Sequence, residues 1–382
     1  MKEHSLQLAN GVTLSVRQLA SATLASINVW IAFDRSGPAS QDIGLAHLVE
    51  HLISRRLRST FGDTYQAILG ATTDEALCFF GRMPVEVLPH YMGALIDALQ
   101  GISAPENAAE LAPLMAVETR IIERELERQA QGTFSALDAK LGIRAGHDIW
   151  RGDVQTLCVF AEGLLCGARV YAELLSGLEV GRALDLLAPL SALPPGKKPS
   201  HEPPSPIAQP ARCLDEATAT IGLRFPVTTH GAREYALMLG ATQFFCSSRP
   251  ESLASRLRGE GLSYHLDRRF FLTGGVGEHV LYVKSAATGL ARLDTLLSEY
   301  FSTGSASTHS LSTALATSSL YQKLSVENIG VLASRSGKHY LNYGAIPSLD
   351  EMINGIDRYS VSDFQAALYQ NYFDQSFVEL AS

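Results

Sequence analysis

Half of the chain's sixteen prolines lie in one short stretch: Pro189, Pro194, Pro195, Pro199, Pro203, Pro204, Pro206 and Pro210. Proline fixes φ and removes a backbone donor, so such a stretch enters neither a helix interior nor a central strand. It reads as a semi-rigid, extended linker. The linker, 189–210, divides the 382 residues into an N-terminal part, 1–188, and a C-terminal part, 211–382. Each part has the size of one domain.

The two parts carry similar patterns. Apolar residues alternate or run together at 13–17 and 25–33 in the first and at 217–225 in the second, predicting strands. Helical segments at 47–57 and 235–245 follow, then strands at 76–82 and 278–283. Longer helical stretches come next, at 85–99 and 106–139 and again at 289–301 and 310–326. This order predicts an α+β chain of two related domains, each a mainly antiparallel sheet covered on one face by helices.

Composition narrows the function. Charged residues are only 18% and hydrophobic ones 46%, a balance that excludes a disordered chain and leaves apolar surface for a subunit interface. The net charge of −8 lacks the basic footprint of a nucleic-acid binder. No apolar run reaches the roughly 18 residues of a membrane span, and residues 1–16 lack the apolar core of a signal peptide. Cys78, Cys158, Cys166, Cys213 and Cys246 are scattered and odd in number, which fits a reduced compartment and points to the cytoplasm.

The sharpest local feature is His47-Leu48-Val49-Glu50-His51. On a helix, residues four apart lie one turn above each other, so both imidazoles can reach one ion. Zinc is the usual occupant of nitrogen-rich sites that keep an open position. Glu50 borders the same face and can accept a proton from a water that the ion activates. A third ligand is available between Glu118 and Glu127, where Glu118 and Glu125 are two turns apart and share a face with Ile121 and Ile122. Glu123 and Glu127 point elsewhere, towards arginines of the same helix.

The His-x-x-Glu-His order is the inverted form of the zinc-protease motif. Together with Gly44-Leu45-Ala46 before it and Glu118…Glu125 after it, the chain resembles the pitrilysin–insulinase family, which includes mitochondrial processing peptidase. The opening Leu8-Ala9-Asn10-Gly11-Val12-Thr13-Leu14 is also similar. The resemblance implies that His47, His51 and Glu125 ligate one Zn²⁺ per chain, that Glu50 is the general base, and that Glu118 supports a ligand from behind. In the second part, Leu253–Tyr264 resembles the family's substrate-holding segment, which implies substrate contacts from Arg258, with Arg256 as substitute, and from Tyr264. Gly70-Ala71-Thr72-Thr73 matches the family's active-site edge strand without its Asn, and residues 141–181 are diverged.

The activity so implied is zinc-dependent endopeptidase action on short or unfolded peptides, which would dock in extended form along a strand at Thr72–Phe80. The length is compatible with half of a four-domain clamshell, completed by a second copy or by a related subunit, and with a role in bacterial peptide maturation. The alternative is a non-catalytic peptide-binding or assembly subunit on the same fold.

Overall fold

The computed structural model describes residues 2–34, 40–62, 69–73, 75–131, 134–143, 149–199, 209–263, 266–304, 306–325, 328–373 and 375–380. In chain order the first elements are β1 (Lys2–Gln7), β2 (Thr13–Gln18), β3 (Ala25–Ala32), α1 (Ser40–Phe61), β4 (Leu69–Thr72) and β5 (Ala76–Met83). Then follow α2 (Leu88–Ser103), α3 (Ala108–Ala130), α4 (Ser135–Lys140), α5 (Val154–Leu164), β6 (Val170–Ser176) and α6 (Val180–Leu187). After the proline-rich segment come β7 (Ala211–Asp215), β8 (Thr220–Thr228), α7 (Ala232–Cys246), α8 (Leu253–Gly259), β9 (Leu266–Thr273) and β10 (Val276–Lys284). The chain ends with α9 (Leu290–Thr303), α10 (Thr308–Leu324), α11 (Ile329–Tyr343), α12 (Leu349–Asn354), α13 (Val361–Asn371) and β11 (Val378–Leu380). No helix among the described residues is long and apolar enough to cross a membrane.

Contacts divide the chain into two units: Met1–Gln129 with Gly146–Pro204 and Asn328–Ile346, and Ala130–Ala145 with Ser205–Glu327 and Pro347–Ser382. The first holds a six-stranded sheet in the order β1-β2-β6-β3-β5-β4, antiparallel except where β2 meets β6. The second holds a five-stranded sheet in the order β11-β7-β8-β10-β9, antiparallel except where β11 meets β7. The α+β class with mainly antiparallel sheets under helices is therefore correct.

In the first unit, β3 is buried along all of its length, which requires cover on both faces. On one face lie α1, α2, α3, α5 and α6, whose apolar residues share a core with Ile27, Val29 and Ile31. On the other lies α11, a helix from late in the sequence. Its Gly337 is needed there, because a Cβ would stand 2.0 Å from Trp30 Nε1 on β3. Beneath it, fully buried Arg17 of β2 donates from Nε to Glu173 Oε1 of β6 at 2.6 Å and from Nη2 to Ser336 Oγ of α11 at 3.2 Å. Removing one partner of such a pair costs about 3–5 kcal/mol, since the other charge stays buried. The second unit uses the same device: α7 to α10 and α13 surround one core, while Leu137 and Leu141, on and just after α4, pack against Cys213, Val280 and Tyr282.

Several local expectations need correction. The helix read across 106–139 stops at Ala130, and α4 packs in the other unit. Cover by helices on one face only is also wrong, since α11 and α4 take the second faces. The stretch 141–181, read as diverged, supplies α5 and the interior strand β6.

Candidate metal centre

Helix α1 is anchored by Leu45, Ala46, Leu48, Val49, Leu52 and Ile53, all buried. That anchoring fixes the direction of the residues between them. His47 and His51 are buried, with ring centroids 4.7 Å apart at an interplanar angle of 74°. Helix α3 brings two carboxylates to the pair. Glu118, only 1% exposed, accepts the His51 Nδ1–H at 3.0 Å and an Arg55 Nη1–H at 2.5 Å. With its Nδ1 proton committed, His51 turns the lone pair of Nε2 towards the cavity.

Glu125, two turns further along α3, places Oε2 3.4 Å from His51 Nε2 and 3.8 Å from His47 Nε2. Gln129, one turn on, donates to its Oε1 at 3.2 Å. Donors bonded to a tetrahedral zinc at 2.0–2.2 Å stand about 3.3–3.6 Å apart. The His51–Glu125 separation falls in that range and the His47–Glu125 separation lies a few tenths of an ångström above it, so the chemistry of the donor set suits such an ion. His47, Glu50 and His51 also present ligand-type atoms within 4.8 Å of one another.

Glu50 stands on the same face of α1 as the two imidazoles. Its Oε1 accepts the Ser54 hydroxyl at 2.6 Å, while Oε2 faces His51 Nε2 at 4.0 Å. Burial pushes its carboxyl above the ordinary carboxylate range, opposed by the Ser54 hydrogen bond and the His51 imidazole. These groups open on a cavity of about 390 Å³, walled by α1 with Ser54 and Arg58, α3 with Glu125 and Gln129, and the strand β4.

All four residues expected around the ion, His47, Glu50, His51 and Glu125, are thus brought together, with Glu118 behind His51. Part of the reasoning for the α3 face is corrected: Ile122 is buried, but Ile121 is 44% exposed. Glu123 pairs with Arg151 at 2.6 Å rather than with an arginine of its own helix. The expected docking strand also shifts. β5 is paired on both sides, by β3 and β4, so its hydrogen-bonding groups are spent. The open edge belongs to β4, residues 69–72.

Arg258 and Arg256 lie in the second unit. Arg258, on α8, donates from Nε to Ala254 O at 3.1 Å and from Nη2 to Ser247 O at 3.4 Å. Arg256 lies over the Tyr300 ring, 5.3 Å from its centroid. Tyr264 lies outside the described residues. Sequence reasoning missed Ser54, Arg58, Gln129 and the approach of Gly70. Ser54 and Gln129 were within reach, since each stands four residues after a carboxylate on the same helix.

The ligand assignment makes one prediction here. Glu125→Ala should weaken zinc binding by about 100-fold or more, exceeding the usual loss for a supporting residue. Glu123→Ala and Glu127→Ala should retain the metal. Equal zinc contents across the three variants, measured by atomic emission, would reassign the third ligand.

No family model matches the sequence, and a search of curated proteins finds no match. Solved structures do match. A peptidase M16 inactive domain from Pseudomonas fluorescens aligns over 100% of both chains with a TM-score of 0.72 and 14% identity. The first half of the periplasmic protease PqqL from Escherichia coli aligns over 98% of this chain and 92% of its own, with a TM-score of 0.72 and 14% identity. Pitrilysin aligns over 100% of this chain but 45% of its own, with a TM-score of 0.70 and 15% identity. The chain likewise spans 46% of complete PqqL. The fold is that of the M16 peptidases, and the chain spans about half the length of PqqL and of pitrilysin.

Proposed function

We propose that the chain is a zinc-dependent endopeptidase that cleaves short or unfolded peptides. One observation carries this reading: a Glu125 oxygen approaches the Nε2 atoms of both His47 and His51 while Glu50 stands beside them on the cavity wall. A bound zinc supplies Lewis acidity for the scissile carbonyl and lowers the pKa of the attacking water. The chain's own groups do the rest. Glu118 holds the His51 tautomer, and Ser54 holds one oxygen of Glu50. The other oxygen, Oε2, takes the water proton and passes it to the leaving amine nitrogen. The open edge of β4 offers main-chain hydrogen bonds to an extended peptide, which supply affinity independent of its sequence.

PqqL and pitrilysin are each about twice as long as this chain, which supports completion of the enclosure by a second copy or a related subunit. The five free thiols, four of them buried, support a reduced compartment such as the cytoplasm.

Metal content and cleavage test the proposal together. The purified chain should hold one zinc, cleave an unfolded peptide, lose cleavage on chelation and regain it with zinc. A chain purified without chelator that holds no metal and cleaves nothing would move to a second reading, a non-catalytic peptide-binding or assembly subunit. The match to an inactive M16 domain favours that reading, and the complete set of His47, Glu50, His51 and Glu125 opposes it.

A further inference from the structure

The arginines of α1 divide into two kinds. Arg55 is paired with Glu118 at 2.5 Å and Arg56 with Glu110 at 3.4 Å, both carboxylates of α3. Arg58 differs. It is exposed, forms no ion pair with a carboxylate among the described residues, and lines the cavity of the metal centre. It follows Glu50 and Ser54 at intervals of four, so the three share one helical face. The helix C-terminus accounts for a basic residue in its last turn. It does not account for a guanidinium on the wall of a cleft.

The remaining ionisable groups around that cleft are His47, Glu50, His51 and Glu125, all of which the metal centre employs. Among the described residues Arg58 is the cationic side chain of that lining; it acts on Glu50 through space without an ion pair, which leaves its guanidinium donors open to a ligand. Seven residues at 1.5 Å each set it about 10 Å along α1 from His51. An extended peptide covers that distance in about three residues at 3.3 Å each. Gly70 of β4 lies against Glu50 and Ser54, and residues 69–72 of β4 line the same cavity as Arg58.

We propose that Arg58 is a specificity-determining residue that selects peptides carrying a carboxylate about three residues from the bond that lies at the metal centre. The carboxylate has two sources, an Asp or Glu side chain or the C-terminus of a short peptide. This rests on the peptide-binding reading of the site and names the class of peptide it takes. A single charged contact in a partly open cleft is worth about 5- to 10-fold in affinity.

The test uses full-length zinc-loaded Glu50→Gln protein, which binds peptide without cutting it, and fluorescein-labelled peptides of one length read by anisotropy. One peptide is neutral with an amidated end, one set carries a single Asp at successive positions, and one is neutral with a free C-terminal carboxylate. An Asp near the third position should bind about 5- to 10-fold tighter than the neutral peptide. Arg58→Ala added to this background should abolish the difference, Arg58→Lys should keep part of it, and Arg58→Glu should reverse it towards Lys-containing peptides. If only the free C-terminus gains affinity, that is the source of the carboxylate. Equal binding of all peptides, or a preference that survives Arg58→Ala, overturns the proposal while leaving peptide binding intact. Failure of every peptide to bind overturns it together with the reading beneath it.

Discussion

Glu50→Gln is expected to retain zinc and to lose peptide cleavage by about 10²–10⁴-fold, the usual contribution of a positioned general base. The substitution conserves shape, and the amide oxygen can still accept from Ser54, so the wall of the cavity stays in place. What disappears is the proton acceptor at Oε2, the atom facing His51 Nε2 at 4.0 Å. At about 1.4 kcal/mol per decade, the loss corresponds to roughly 3–5.5 kcal/mol of transition-state stabilisation. Because Glu50 is not required as a ligand, zinc content and KM should stay near wild type while kcat falls. Loss of zinc in this variant would make Glu50 a ligand, and retained turnover would remove it as the base.

The parts of this centre that could be read in the sequence are those fixed by helical geometry alone. His47 and His51 had to share a face once α1 was recognised, and the same periodicity put Glu118 and Glu125 on one side of α3. That α3 delivers those carboxylates to α1, sixty-odd residues earlier, is not contained in either helix; the family resemblance supplied it, and the distances now carry it. Cover on one face was expected, whereas β3 is buried along its whole length, and nothing local marked α11 as the covering helix. Its buried side consists of small and mixed residues such as Gly330, Ala333, Ser336 and Gly337, chosen to fit Trp30 and Arg82 rather than to display a stripe of large apolar groups. The docking strand was misplaced for a similar reason. Apolar alternation identifies a strand, but only pairing decides whether its edge is open, and β5 is interior although β4 is too short to stand out.

Gly70→Ala is expected to leave the fold and the zinc in place and to lower kcat by about 10²-fold. Gly70 lacks a positive φ, so its backbone admits alanine, and glycine to alanine at a compatible strand position is ordinarily neutral or mildly stabilising. The obstacle is the site itself: a Cβ there would stand 1.9 Å from Glu50 Oε1 and 2.3 Å from Ser54 Oγ. Both atoms end flexible side chains, so they can move aside without disturbing the sheet. In moving, they break the 2.6 Å hydrogen bond that holds the carboxylate and turn Oε2 away from its place beside the imidazoles. A displacement of about 1 Å at a reacting group costs on the order of 10²-fold in rate. The strand edge and the base are thus one device, in which a missing side chain on β4 leaves the room that Glu50 occupies. An unchanged melting temperature with the loss confined to kcat is the expected signature. Wild-type kcat in Gly70→Ala would show that the carboxylate works from a position other than the one held by Ser54.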